Sequence, residues 1–100
     1  MEHTLEENRV LLLDANKKDL DAFKKDDQAM YDRLLINNKK IDGMIEAVRQ
    51  VRSQDDPINK VITDKKLDNG LQVVNKTAPF GTIMIIYESR PDVTVEAAVL

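Results

Sequence analysis

The stretch Ala-Pro-Phe-Gly-Thr-Ile-Met-Ile-Ile-Tyr-Glu-Ser-Arg-Pro-Asp-Val-Thr, residues 78–94, decides the fold class of this chain. After Pro79 and Gly81 comes an apolar run, Thr82–Tyr87, which predicts a β-strand. Apolar residues fall on both faces of that strand, as they do in a buried parallel sheet. Parallel strands need crossover helices, so the stretch favours an α/β fold.

The polar run that follows the strand, Glu88–Asp92, predicts a loop. Asp92 or Thr94 is expected to cap a helix whose apolar pattern still runs at Leu100. A single buried-type strand cannot form a parallel sheet, because it needs neighbours on both edges. We therefore expect this chain to be the opening of a longer domain.

A hairpin is predicted just before this stretch. Two runs rich in β-branched residues, Val61–Thr63 and Leu71–Val74, flank the dipeptide Asn69-Gly70. Asn-Gly is a strong signal for a two-residue turn, since both residues tolerate positive φ.

The first half of the chain predicts helices. Thr4 and Glu7 fit a capping box, and apolar residues then recur at roughly helical spacing. The pattern predicts one long or two short helices from about Leu5 to Lys25, with Asn16 as a possible weak point. The pair Asp26-Asp27 is a candidate start for the next helix.

A further helix is predicted after Asn37 or Asn38, either of which can cap it. Its apolar residues fall three and four apart, which indicates an amphipathic helix; they are Ile41, Met44, Ile45, Val48 and Val51. The run Asp55-Asp56-Pro57 is expected to end it, because proline disfavours helical backbone at the preceding residue.

Composition excludes several classes of function. The 100 residues carry 15 basic and 18 acidic side chains, a net charge of -3, which predicts no nucleic-acid partner. The sequence has no cysteine and one histidine, His3, so no metal site is expected. No apolar run approaches the ~20 residues of a membrane helix, and we expect a cytoplasmic protein with no membrane partner.

Residues 78–94 resemble the signature of gamma-glutamyl phosphate reductases. There a Pro-x-Gly-Val strand runs into Ile-Tyr-Glu-(Ala/Ser)-Arg-Pro-(Asn/Asp)-Val-Thr, and the reductase half of bifunctional pyrroline-carboxylate synthases is similar. Upstream motifs agree in order and spacing; they are Ala15–Leu20, Asp32–Leu34, Arg49–Val51, Asp56-Pro57 and Leu67–Leu71. The chain departs from the family at Asn59, where glycine is usual, at Thr82, where valine is usual, and at Asp92, where asparagine is commoner.

The resemblance implies an aldehyde-dehydrogenase-like enzyme that works with NADPH in proline biosynthesis. Such enzymes attack gamma-glutamyl phosphate with a cysteine thiolate, and hydride from the cofactor then gives glutamate 5-semialdehyde. A later domain supplies that cysteine, so no catalytic residue is assigned within these residues and the chain alone is expected to be inactive. The family also implies a homo-oligomer and glutamate 5-kinase as a possible partner.

The resemblance places candidate binding residues in the loop after the strand, because ligands of open α/β sheets bind at the carboxyl ends of strands. Glu88 and Ser89 are candidates for binding the cofactor. Arg90 is the candidate for binding the substrate, since guanidinium binds phosphate or carboxylate in a two-pronged manner. Alternatively, Arg90 pairs with Glu88 or Asp92 and only stiffens the loop.

The expected organisation has three parts. Residues 1–56 form a helical N-terminal arm, residues 57–78 a β-hairpin segment, and residues 79–100 the strand and helix that begin an NADP-binding α/β domain. The alternative to a reductase is a non-catalytic helical module that binds a partner through its apolar stripe or exposed strand.

Overall fold

The computed structural model describes residues 1–23 and 26–100. The chain divides into two compact units. One unit is helical and joins Met1–Gln54 to Ile85–Leu100, and the other, Asp55–Met84, contains a hairpin. The helices are α1 (Glu2–Glu7), α2 (Arg9–Ala22), α3 (Gln28–Leu34), α4 (Asn38–Ser53) and α5 (Pro91–Val99), and the strands are β1 (Val61–Lys66) and β2 (Gln72–Lys76).

Helix α4 provides most of the buried apolar surface of the helical unit. Asn37 caps it, accepting a hydrogen bond from the Lys40 amide at 2.9 Å, as its sequence position predicts. Ile41 is fully buried, and Met44 and Val48 are buried on the same face. Leu5 of α1 forms a cluster with Met44 and Val48, and the partly buried residues Leu12, Ile36, Ile45, Val95 and Val99 pack around it. The amphipathic stripe predicted from sequence is therefore confirmed.

The first helix begins earlier than predicted, and the proposed capping box is wrong. Helix α1 begins at Glu2, and Thr4 lies inside it, where its carbonyl accepts from the Asn8 amide at 3.1 Å. The helical stretch is interrupted at Asn8, with φ -99° and ψ 11°, and not at Asn16. The Asn8 side chain competes with the helix ladder, because its Nδ2 donates to the Thr4 carbonyl at 2.8 Å.

Asn16 is buried in the middle of α2, with 5% of its surface exposed. Its Nδ2 donates to the Leu34 carbonyl and its Oδ1 accepts from the Ile36 amide, both at 2.8 Å. The Leu34 carbonyl is at the C-terminal end of α3, where no further turn of the helix pairs it, and the Ile36 amide lies in the connection to α4. The amide thus satisfies groups that would otherwise be unpaired, which offsets the cost of its own burial.

Asp27 begins helix α3, as predicted, and accepts a hydrogen bond from the Met30 amide at 3.1 Å. The predicted end of the preceding helix at Lys25 lies outside the described residues.

Arg9 connects α2 to neighbouring elements, with Nη2 2.6 Å from both Glu6 Oε2 and Asp42 Oδ1. Hydrogen bonds to Glu6 and Asp42 raise the pKa of Arg9 above its ordinary value.

Strands β1 and β2 pair antiparallel, with Lys66 opposite Gln72 and Val61 opposite Lys76, and the register shifts between Val61 and Thr63. The hairpin is as predicted, but its turn is not. The Leu67 amide donates to the Leu71 carbonyl at 2.7 Å, and the Gly70 amide donates to the Leu67 carbonyl at 2.9 Å. Only Gly70 has positive φ, at 86°, so the connection is a three-residue loop that ends in a left-handed glycine.

The base of the hairpin is closed by Thr77 and shaped by Asn59. The Thr77 hydroxyl accepts from the Lys60 amide at 2.8 Å and donates to the Pro57 carbonyl. Asn59 has φ 59°, in the left-handed region that glycine and asparagine adopt at least cost. This backbone explains why glycine is usual here in the family that the sequence resembles.

The run Thr82–Tyr87 is assigned to no strand, which corrects the sequence prediction. Its side chains are exposed, including 80% of Met84 and 88% of Ile86. A strand exists only when a neighbouring backbone accepts and donates its ladder hydrogen bonds. In the part of the chain that the structure describes, the only two paired strands are β1 and β2. The helix that follows this run, α5, is formed as expected.

Candidate functional site

The predicted binding residues form a short connection, Glu88–Arg90, which we call the site loop. It leads directly into α5, with Pro91 at the first helical position. Proline suits that position because its fixed φ is helical and the amide it lacks would be unpaired there in any case. The loop therefore has a defined end on its C-terminal side.

Ser89 takes an unusual backbone conformation, with φ 51°. Among the described non-glycine residues, only Asn59 shares a positive φ. Serine in the left-handed region costs free energy relative to ordinary backbone, and such residues are concentrated at turns and binding sites. The Ser89 side chain is half-buried, whereas Glu88 and Arg90 are exposed.

Arg90 occupies the position just before α5, with φ -138° and ψ 78°. Non-helical backbone is expected there, because the next residue is proline. Its carbonyl accepts from the Val93 amide at 3.0 Å. The expectation that Asp92 or Thr94 caps this helix is wrong, since no side chain caps it and both residues lie within its first two turns.

The ends of the site loop are joined by a contact that sequence reasoning missed. Tyr87 lies one residue before the loop, and Thr94 lies in the first turns of α5. Their hydroxyl oxygens are 2.7 Å apart. The sequence pattern predicts Thr94 only as a helix cap, and its separation of seven residues from Tyr87 matches no local motif. The bridge restricts the path that residues 88–93 can take.

The site loop presents charge that the described part of the protein leaves unpaired. No ion pair connects Arg90 to Glu88 or Asp92 among the described residues, so the stiffening role considered for Arg90 is not observed. An exposed guanidinium can donate two parallel hydrogen bonds to a phosphate or carboxylate. Ser89 offers a hydroxyl, and an ionised Glu88 can accept from a ribose hydroxyl.

A second concave surface lies between α1 and α4, away from the predicted residues. It is an open groove of about 580 Å³, lined by Met1, Glu2, His3, Glu6, Ile45, Val48, Arg49 and Arg52. Glu2 lies 3.5 Å from Arg49 and 3.2 Å from Arg52, so its charges are paired internally. His3 pairs with Glu7 at 3.0 Å. Among the described residues, no serine, threonine or cysteine side chain lines this groove, so it holds no nucleophile of these types.

The described residues hold neither a metal-binding cluster nor a membrane-spanning helix. Within residues 1–23 and 26–100, no group of three or more histidine, aspartate or glutamate side chains is placed to hold a metal ion. No described helix combines the length and apolar character required to cross a bilayer.

The helices, the hairpin and the site loop at the start of α5 correspond to part of an aldehyde-dehydrogenase-like α/β fold. More particularly, the chain is similar to gamma-glutamyl phosphate reductases. The crystal structure of that enzyme from Thermotoga maritima matches with a TM-score of 0.82 and 38% identity, covering 99% of this chain and 24% of the enzyme. No protein-family model matches the chain.

Curated relatives agree with the structural match. The gamma-glutamyl phosphate reductase of Persephonella marina is 44% identical over 96 residues, which is 94% of this chain. That of Aquifex aeolicus is 41% identical over 98 residues, which is 96% of this chain. The chain spans 22% of the length of each of these relatives. The resemblance drawn from residues 78–94 and the upstream motifs is thereby confirmed.

Proposed function

We propose that this chain is the N-terminal part of a reductase that uses NADPH to convert gamma-glutamyl phosphate into glutamate 5-semialdehyde in proline biosynthesis. The observation that carries the proposal is the 44% identity to a curated gamma-glutamyl phosphate reductase along 94% of the chain. The TM-score of 0.82 to the crystal structure of a gamma-glutamyl phosphate reductase also supports it. The protein acts in the cytoplasm.

The site loop contributes binding groups and no nucleophile. Arg90 binds the phosphate or carboxylate of the substrate, and its guanidinium, exposed and without an ion pair among the described residues, supports this role. Ser89 and Glu88 bind the cofactor, through a hydroxyl donor and a carboxylate acceptor respectively. The bound cofactor supplies hydride. The sequence contains no cysteine, so the attacking thiolate belongs to residues outside this chain.

We propose one role for each of the three segments predicted from the sequence. Residues 79–100 begin the NADP-binding domain, and the helical arm of residues 1–56 precedes it. Residues 57–78 form the hairpin, whose strands are exposed on both faces. We assign the hairpin to contact between subunits of a homo-oligomer, since an unpaired strand edge is a natural place for a second chain to pair. Glutamate 5-kinase, which makes the acyl phosphate, is the proposed partner enzyme.

The experiment begins with the reading frame that contains this chain, expressed to its natural stop. The purified protein is assayed with glutamate 5-semialdehyde, phosphate and NADP, following NADPH formation. We expect activity in the intact protein. Arg90→Met should raise KM for inorganic phosphate, or for glutamate 5-semialdehyde if Arg90 binds the carboxylate, about 10- to 100-fold, the effect of losing a charged hydrogen bond of roughly 1.5–3 kcal/mol. Arg90→Lys should recover part of the loss, because lysine keeps the charge without the fork.

Lys66→Met, which removes one charge from the exposed strand β1, is the matched control and should leave KM unchanged. If the protein is active and Arg90→Met leaves KM unchanged, the role of Arg90 is refuted but the reductase activity is not. An intact protein without activity would refute the reductase. In that case the non-catalytic module becomes the better account, supported by the exposed apolar side chains of Phe80 and Ile86, which are 95% and 88% exposed.

A further inference from the structure

The tip of the hairpin contains a pair of residues with reactivity unrelated to the reductase. Asn69 and Gly70 are consecutive and both exposed. Asparagine is among the residues that chemical degradation affects first. The reaction requires the backbone nitrogen of the next residue to reach the asparagine side chain, and glycine hinders that approach least because it has no Cβ.

The geometry of the loop favours this reaction at one point. Asn69 Oδ1 accepts a hydrogen bond from the Leu71 amide at 3.0 Å, which forms a side-chain turn over the Gly70 amide. That turn holds the side-chain carbonyl of Asn69 beside its own downstream backbone. The Leu71 amide also donates to the oxygen that becomes negatively charged during attack, as donors in an oxyanion hole do.

One contact opposes the reaction. The Gly70 amide donates to the Leu67 carbonyl at 2.9 Å, and this hydrogen bond must be released before the nitrogen attacks. The bond lies at an exposed loop tip, where local opening costs little free energy. A Cβ at position 70 would meet no atom within 4 Å, so the loop tip is open to water.

We propose that Asn69 in the folded hairpin is a site of spontaneous deamidation. The Gly70 nitrogen loses its proton and bonds to Asn69 Cγ, the bond from Cγ to Nδ2 breaks, and ammonia leaves with that proton. A five-membered succinimide remains. Water then opens the ring at either carbonyl and gives aspartate or isoaspartate, so that amide and water become acid and ammonia without oxidation or reduction.

The two products change the hairpin differently. Both add a negative charge beside Asp68. Isoaspartate also routes the main chain through the side-chain carbon, which lengthens the loop between Leu67 and Leu71 and disturbs the hydrogen bond that closes it. The modification would therefore act on the hairpin that the proposed function assigns to subunit contact, although the chemistry itself does not depend on that function.

The test is to incubate the intact purified protein, expressed from the reading frame that contains this chain, in mildly alkaline buffer at body temperature and to map its peptides by mass spectrometry. Asn75 is the internal control, since it is exposed in the same hairpin and is followed by lysine. We expect Asn69 to gain the mass of deamidation at least about tenfold faster than Asn75, a factor that corresponds to about 1.4 kcal/mol in an activation barrier. Isoaspartate should be found at position 69.

Two further samples make the result decisive. Asn69→Gln should abolish the mass change at position 69, because glutamine would have to close a six-membered ring. Incubation in concentrated urea unfolds the hairpin, and the deamidation rates of Asn69 and Asn75 measured there are those of the unfolded chain. If Asn69 is lost in urea but survives as long as Asn75 in the folded chain, the hairpin protects it and the proposal is overturned. Equal rates at the two asparagines under both conditions would overturn it as well.

Discussion

The helical unit and the hairpin unit of this protein are stabilised in different ways. In the helical unit, side chains from α1 and α4 bury one another, and Ile41 has no exposed surface. In the hairpin unit, both strands are exposed along their whole length, and the ordering contacts are hydrogen bonds of the backbone, the loop and Thr77. Apolar residues are present in both, so composition alone does not decide which segment forms a core.

The largest effect is expected from truncating Ile41, the fully buried side chain of the helical unit. Ile41→Ala should lower the free energy of unfolding by about 2–4 kcal/mol, because it leaves a cavity at a fully buried position. Ile62→Ala is the matched control on β1, where 64% of the side chain is exposed. That change should stay within about 0.5 kcal/mol. Urea denaturation followed by circular dichroism at the helical band compares the two, and equal effects would refute the contrast between the units.

A polar residue should matter nearly as much as the apolar core. Asn16→Ala should lower the free energy of unfolding by about 1–3 kcal/mol, because the Leu34 carbonyl and the Ile36 amide lose their hydrogen-bond partner in a part-buried site. Lys17→Ala, the exposed neighbour on α2, serves as control and should change little. The same denaturation experiment applies. A loss at Asn16 no larger than at Lys17 would mean that water replaces the amide without cost.

The hairpin should respond to backbone conformation more than to side-chain volume. Asn59→Val should destabilise the base of the hairpin by about 1–2 kcal/mol, since a β-branched residue is strained at φ 59°. Asn59→Gly should be neutral within about 0.5 kcal/mol. Amide hydrogen exchange at Lys60 and Thr77 measures the effect, because their backbone groups close the base. Similar exchange in both variants would contradict the left-handed assignment.

The smallest effect is expected from the exposed ion pairs of Arg9. Arg9→Gln should destabilise the helical unit less than Asn16→Ala does, and the difference from wild type should fall in molar salt. Folding raises the pKa of Arg9, so the charged side chain contributes to the free energy of unfolding. That contribution is complete below the ordinary pKa of arginine and is lost only above the raised value. Arg9 itself therefore adds no pH dependence near neutrality. Arg33→Gln, an exposed arginine of α3 without an ion pair among the described residues, is the control.

Sequence reasoning was accurate where structure depends on neighbours along the chain. The caps Asp27 and Asn37 and the stripe on α4 are local features, and each is present. The hairpin followed from the residues around Asn69, although Leu67 and Leu71 close a loop one residue longer than expected. In each case the signal and the structure lie within one or two helical turns or one loop.

Sequence reasoning failed where the deciding contact is distant. Asn16 appeared to be a weak point of a helix, because its partners at Leu34 and Ile36 are far away along the chain. The run Thr82–Tyr87 has the composition of a strand, but composition does not supply a partner. In the candidate site, the sequence predicts Glu88, Ser89 and Arg90 as binding residues, whereas the bridge from Tyr87 to Thr94 is visible only in the structure. The roles of those three residues stay predictions.

The packing of α5 against α4 has a consequence for how the protein is made. These helices are neighbours in space, yet the whole hairpin segment lies between them in sequence. On a ribosome, α1 to α4 can begin to pack before the residues of α5 have been synthesised. Docking of α5 must then close a long loop, whose entropic cost grows only slowly with its length. The helical unit should consequently assemble in two stages, with the site loop reaching its final position in the second.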